Sequence, residues 1–291
     1  MMLLVSGATR TMNRLAVKYP KHLGHLFTPV DGNDVGNLIS TGLRWACDNA
    51  AFTNFRLGQY LDMICQKAPL ADRPPLFITL PDKVADAQKT TGDLRKRQIG
   101  LFYQWQPVVS SYGMPVAMVG QDGLEDMHVP WNLMDAFFIG GSTEWKLSAS
   151  VRDLVAEAKR RGKWVHMGRV NTKRRMKYAY QIGCDSVDGS SLSKFSETYV
   201  PKFARYLIEL HQRGLFDGDG EAGQPTDSSN GPDHHPGRSR AGGDSLQGRR
   251  APRGWSVGDR RRVVHLRPHG HSAVTQCRLP PALQEPVYAA V

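Results

Sequence analysis

The chain is poor in the features that most readily disclose a function. Its four cysteines, Cys47, Cys65, Cys184 and Cys277, form no CxxC pair. That spacing argues against a disulfide framework or a cysteine-rich metal knuckle and fits reduced thiols in a cytoplasm. A membrane helix needs roughly 20 consecutive apolar residues, and the longest apolar stretches, 1–5 and 136–139, fall far short of it. The first seven residues carry no basic start and no long apolar segment, so they do not read as a secretion signal. No GxGxxG follows an early strand, and Walker A, HExxH and GxSxG patterns are missing. Each of those would have pointed to a nucleotide, a metal or an activated serine.

What is present is enough for a substantial core. The chain has 291 residues, 40% hydrophobic and 22% charged, with a net charge of +11. A charge of that size suggests a polyanionic partner. Composition changes near residue 215. Residues 216–291 hold 11 Gly and 8 Pro, ten Arg and no Lys, and five scattered His. This stretch reads as a Gly/Pro/Arg-rich, disordered tail, its histidines as solvated sequence and not metal ligands. Ten Arg against eight acidic residues leaves +2 there and +9 on residues 1–215, so the basic character belongs to the expected folded domain.

Within 1–215 one rhythm repeats. Short β-prone runs at 3–6, 26–30, 45–48, 76–80, 116–119, 136–139, 164–167 and 184–187 each end in small or polar residues. Helical patterns are expected at 58–67, 83–100, 149–161, 173–182 and 201–211. Eight strands alternating with helices predict an α/β fold, a compact (β/α)8 TIM barrel followed by the tail. In such a barrel chemistry sits just past the strand ends. Those positions hold Asp48 and Asn49, Asp82, Gln121 and Asp122, Gly140, Gly141 and Glu144, Gly168 and Arg169, and Asp188. Asp and Asn also favour helix N-caps, yet the full set shares one rim.

Three stretches, 136–146, 165–171 and 183–189, resemble the guanine transglycosylase superfamily. The likeness is greatest to the phage and bacterial branch that inserts 7-deazaguanines into DNA; it covers nearly all of 1–215 and none of the tail. The resemblance implies Asp48 as acid/base and Asp188 as nucleophile. It implies Phe52 and Met167 packing on the two faces of a base, Asp82 and Gln121 reading its edge, and the Gly140–Gly141 backbone approaching the incoming deazaguanine. Ala50 and Ala51 stand where tRNA enzymes of the family carry glycines. The family's CxCxxC zinc signature is absent, so no metal and no other cofactor is expected.

The residue types suit that chemistry. Exchange at a glycosidic carbon passes through an oxocarbenium-like state and needs one carboxylate to trap the sugar and one acid to protonate the leaving base. Asp185 competes with Asp188, but alternation turns it to the opposite face. By the same alternation His166 is expected on the helix side with a structural role, and Met167 toward the base. Lys83, Lys146, Arg169, Lys173, Arg174 and Lys194 follow strand ends and are expected to ring the mouth and neutralise phosphates. The 159–163 run is placed on the far rim. The expected activity is that of a pentosyltransferase replacing guanine in DNA with a preQ0-type base, with DNA and the free base as partners. The same chemistry on tRNA, a catalytically silent nucleic-acid-binding barrel and a nucleoside hydrolase are the alternatives.

Overall fold

The computed structural model describes residues 1–29, 35–53 and 55–214. The expected tail at 216–291 lies outside them. Eight parallel strands close into a barrel: β1 Met2–Val5, β2 Leu23–Phe27, β3 Arg44–Cys47, β4 Ile78–Thr79, β5 Val116–Gly120, β6 Ala136–Ile139, β7 Trp164–Met167 and β8 Ser186–Val187. Neighbours pair in chain order, and β1 closes the ring by pairing β2 through Leu3↔Leu23 and β8 through Met2↔Ser186. This is a TIM-barrel fold, as the alternating pattern predicts.

The strands are apolar on both faces because a parallel barrel buries both. One face of each strand fills the lumen with Met2, Leu4, Leu26, Ala46, Phe77, Ala117, Val119, Ala136, Phe138 and Trp164. Three alanines share this layer with the Phe77, Phe138 and Trp164 rings, so small side chains leave room for large ones. The other face, including Leu3, Trp45, Ile78, Met118, Phe137, Val165 and Val187, packs against the helices.

The main crossover helices are α1 Thr9–Ala16, α2 Val35–Thr41, α3 Leu57–Asp62, α4 Leu101–Ser110, α5 Ala149–Arg160 and α6 Lys173–Gln181, with α7 Ser196–Gly214 after β8. Ser148 caps α5 by accepting from the Val151 N–H, and Thr172 caps α6 by accepting from Arg175. Each such cap is worth about 1 kcal/mol. One expected helix is not formed as such. The 83–100 segment is not one helix: Ala87–Thr91 makes a single short helix, then Gly92–Asp93 pairs antiparallel with Gln98–Ile99. Gly92 breaks the helix at φ 77, and a Cβ there would collide with the Gly100 backbone. The β5–β6 connection holds only 3₁₀ turns, Leu124–Asp126 and Trp131–Leu133.

Cys47 and Cys184 are buried and free. Among the described residues no helix is long and apolar enough to cross a membrane.

Candidate active site

The loops leaving the C-terminal ends of the strands form an open pocket. Asp48, Phe52, Asp82, Gln121, Gly140, Gly141, Lys146, Arg169 and Asp188 all line it. Nine of the expected site residues, drawn from six different loops, therefore meet at one mouth.

The floor is a buried hydrogen-bond network. Asp82 accepts from Asn49 Nδ2 at Oδ1 and from Gln121 Nε2 at Oδ2, both at 2.6 Å. Gln121 Oε1 in turn accepts the backbone N–H groups of Ala85 and Gly141, each at 2.8 Å. Asn49 gives a second hydrogen to Leu80 O and accepts from Ala51 N–H. Asn49 and Gln121 are 1% and 2% exposed, so these bonds form in a low-dielectric interior where unsatisfied groups are costly. Asn49 stands among the rim residues in the sequence, but only its hydrogen bonds reveal that it ties the β3 loop to the β4 loop.

The two glycines are demanded by the protein itself. The space a Cβ would take at Gly140 holds Val119 Cγ1 at 2.6 Å and Gln121 Nε2 at 2.7 Å. At Gly141, φ 45, it holds the Trp145 ring and Asp122 Oδ2. Trp145 is fixed there by donating Nε1–H to Glu125 at 2.7 Å, and Asp122 by accepting from Ser142 N–H.

Further residues with side chains take left-handed backbone around this mouth, Ala85 (φ 58) in the β4 loop among them. Ala50 (φ 59) follows Asn49, and Arg169 (φ 62) follows Gly168. For a residue with a side chain such φ values cost of the order of 1 kcal/mol and collect at functional sites. Ala50 thus keeps the backbone shape that a glycine would supply. Arg169 donates its backbone N–H to Asp188 Oδ1 at 2.5 Å and its guanidinium to Gly141 O. The same guanidinium lies over the Phe52 ring, 4.2 Å from its centroid. Phe52 itself is 64% exposed, a large aromatic left in solvent at the pocket lip.

The carboxyls differ in ionisation. Burial pushes Asp48 up to about 7, and the nearby Asp188 and Asp82 carboxylates add to the shift. Asp82 is likewise raised by burial, to about 6, with the Asn49 and Gln121 donors holding it back. Asp188 goes the other way. Burial opposes its ionisation, but the imidazole of His166, the Arg169 N–H and the Lys146 ammonium outweigh it and hold Asp188 below the usual carboxylate range. One mouth therefore presents a protonated acid and a carboxylate near neutral pH.

Three expectations are corrected. Met167 does not face the pocket. The register Phe138↔His166 and Ile139↔Met167 sends Met167 into the helix-facing core and His166 into the lumen, against the Phe77 and Phe138 rings. His166 therefore is not on the helix side. Lys146 is not a solvated rim cation. It is 6% exposed, donates Nζ–H to Gly168 O at 2.6 Å, and burial, with help from Arg169, lowers it to about 7.

The other basic residues divide by rim. Lys83 follows β4 and is half-buried, its backbone N–H bonded to Thr90 Oγ1. Arg174 and Lys194 are exposed, and Lys173 sets its Nζ over the Tyr206 ring of α7, 4.6 Å from the centroid. None of these four lines the pocket. Lys159 sits at the opposite end of the barrel, paired with both Asp185 oxygens at 2.7 Å, and Arg160 pairs with Glu157. Asp185 also accepts the Val165 N–H at 2.8 Å, which makes it a structural anchor facing away from Asp188. Among the described residues no three His, Cys, Asp or Glu side chains group as a metal site.

No protein-family model matches the chain, and no curated protein matches it. It is similar to several solved structures. One is a native KDPGal structure, at 10% identity and a TM-score of 0.47, covering 75% of this chain and 97% of that one. A second is an HpcH/HpaI aldolase from Desulfitobacterium hafniense, at 12% identity and 0.38, covering 72% and 93%. A third is a mandelate oxidase mutant with (S)-mandelic acid, at 13% identity and 0.48, covering 74% and 73%. These likenesses carry no argument about chemistry, and the barrel itself is read from the strand pairing.

Proposed function

We propose that the chain is a base-exchange enzyme, a pentosyltransferase that replaces guanine in DNA with a 7-deazaguanine through a covalent aspartyl–deoxyribose intermediate. The observation that carries this reading is the pair of oppositely poised carboxyls, Asp188 held ionised and Asp48 held protonated to about pH 7, on one mouth. Environments that drive two acids apart in this way assign nucleophile and acid.

In the first step Asp188 attacks C1′ of the deoxyribose as the C1′–N9 bond breaks. The bonding pair leaves with guanine, which takes the proton of Asp48. In the second step Asp48, now a carboxylate, accepts the N9 proton of the incoming deazaguanine. That nitrogen attacks C1′ and expels Asp188, so two displacements retain configuration. Arg169 N–H on Asp188 Oδ1 fixes the nucleophile, and the exposed Phe52 ring offers a flat face to a base taken out of the stack. Asp82, at the floor, keeps unused lone pairs for the N–H edge of a guanine-like ring. These steps call on no metal or redox group.

The test is nucleoside mass spectrometry on DNA and tRNA from cells that express the protein and are supplied with a deazaguanine. Deazaguanosine in DNA supports the reading; deazaguanosine confined to tRNA replaces DNA by tRNA as the substrate. A denaturing gel of protein with guanine-containing DNA then looks for the adduct, which Asp188→Asn should abolish.

A further inference from the structure

A histidine buried in the barrel lumen lies directly beneath the mouth, where the base-exchange steps need no titrating group. His166 is 0% exposed and enclosed by the Phe77 and Phe138 rings, at centroid distances of 5.4 and 4.5 Å. Its Nδ1 is 2.8 Å from Ser186 Oγ. That oxygen also lies 2.9 Å from Trp164 Nε1, which can only donate. Ser186 Oγ can accept from the indole and still give its own hydrogen to His166 Nδ1, an arrangement favoured by the Asp188 carboxylate in front of Nε2. The imidazole proton then sits on Nε2. Protonation of the ring would leave Nε2–H where it is, so both charge states present the same hydrogen.

Nε2 is a buried nitrogen with no hydrogen-bond partner, and the polar group in front of it is Asp188 Oδ2 at 3.6 Å. The gap is a few tenths of an ångström beyond hydrogen-bonding reach. A chain of polar groups, Trp164, Ser186, His166, Asp188, thus runs up the lumen from β7 and β8 to the mouth. The lumen residues around it, Thr79 apart, are largely apolar.

We propose that His166 is the positioning residue of Asp188: Ser186 and Trp164 lock its tautomer so that Nε2–H steers and sustains the Asp188 carboxylate. This rests on the base-exchange reading for its kinetic consequence, though not for the coupling of the two side chains. A carboxylate in a dry barrel reverts to the neutral acid unless donors face it. The groups that face Asp188 are His166 from β7, Arg169 from the following loop, Lys146 from beyond β6, and Asp48 from beyond β3. His166 is the member of this set that approaches Oδ2, while Arg169 holds Oδ1.

The experiment uses three variants of the full chain. His166→Leu removes the donor at similar volume. His166→Gln restores a neutral amide N–H near the Nε2 position. Ser186→Ala leaves the ring but releases its tautomer. Two readouts are taken: carbon-13 NMR titration of the Asp188 carboxyl in the free protein, and the pH dependence of adduct formation in a single turnover.

In His166→Leu the Asp188 titration should move upward and the acid limb of adduct formation should follow it. The rate near pH 7 should fall about ten- to a hundredfold, the worth of one hydrogen bond to a charged group. His166→Gln should bring both most of the way back, and Ser186→Ala should shift them in the same direction by less. An Asp188 titration unmoved in His166→Leu, or moved equally in His166→Gln, overturns the proposal. Should His166→Leu fail to fold, the Gln and Ala variants decide alone: Ser186→Ala must move the titration more than His166→Gln does. If the wild-type protein forms no adduct at all, the base-exchange reading falls while the NMR titration still decides the role of His166.

Discussion

Gln121 gives its amide hydrogen to Asp82 at 2.6 Å while its carbonyl takes the N–H groups of Ala85 and Gly141. Its carbonyl oxygen is taken up by the protein, and one of its two amide hydrogens is left for a base. Its role is to lock three loops and to aim Asp82.

Gln121→Leu should therefore act on stability before it acts on recognition. It strands Asp82 and two backbone N–H groups in the interior, so unfolding free energy should drop by at least about 1–3 kcal/mol. Urea denaturation measures this. A variant as stable as the wild type with altered base preference would return Gln121 to the role of base reader.

The pH dependence of stability should carry the mark of Asp48. Its folded pKa is raised from the ordinary 3.8 to about 7. A carboxyl raised in this way contributes stability that is present below pH 4 and lost as pH climbs to 7, because only the unfolded chain ionises freely in that window. Asp48→Asn has no such carboxyl. Its melting temperature should match the wild type at pH 4 and exceed it above pH 7, by the equivalent of up to about 4 kcal/mol. Melting curves across that range test the sign. Base exchange by the same variant should fall by about two to four orders of magnitude, the usual loss for a general acid.

Asp185→Asn should separate anchor from nucleophile. It removes the bonds to Lys159 and weakens that to Val165 N–H, so the melting temperature should decline while the protein–DNA adduct persists on a denaturing gel. An adduct that disappears with Asp185→Asn and persists with Asp188→Asn would reverse the two assignments.

The rims should differ in their salt response. Arg169→Ala with Lys173→Ala should weaken DNA binding and lower the slope of log affinity against log salt by about one for each phosphate left without its cation. Lys159→Ala with Arg160→Ala, on the far rim and already paired with acids, should leave the slope alone. So should Lys146→Met, because a buried amine bonded to Gly168 O releases no counterion. Fluorescence anisotropy at several salt concentrations distinguishes these cases.

All eight strands were legible because a parallel barrel buries both faces, leaving apolar runs that stop at polar loop residues. That same property hid the orientation of β7. Trp164, Val165, His166 and Met167 are all suited to burial, so no alternation of polarity marks which face is which. Only the pairing with Phe138 and Ile139 settles that His166 faces the lumen. The 83–100 segment misled for another reason: it is rich in helix formers, and the turn at Gly92 is enforced by the close approach of Gly100, eight residues later in the chain. Lys146 follows a strand like any rim cation, and only the Gly168 carbonyl above it explains its burial. Asp48, Asp82, Gln121 and Asp188 were legible because each stands just past a strand end.

The Arg169 guanidinium on Phe52 makes the mouth a self-occupied one. A flat ring that comes to lie on the covered face of Phe52 has to exchange places with the cation resting there. A free base offers that cation nothing in return, whereas a nucleotide brings a phosphate with it. Under the proposed function, filling the aromatic face and capturing the backbone become a single linked equilibrium, in which each event raises the affinity for the other by the same factor.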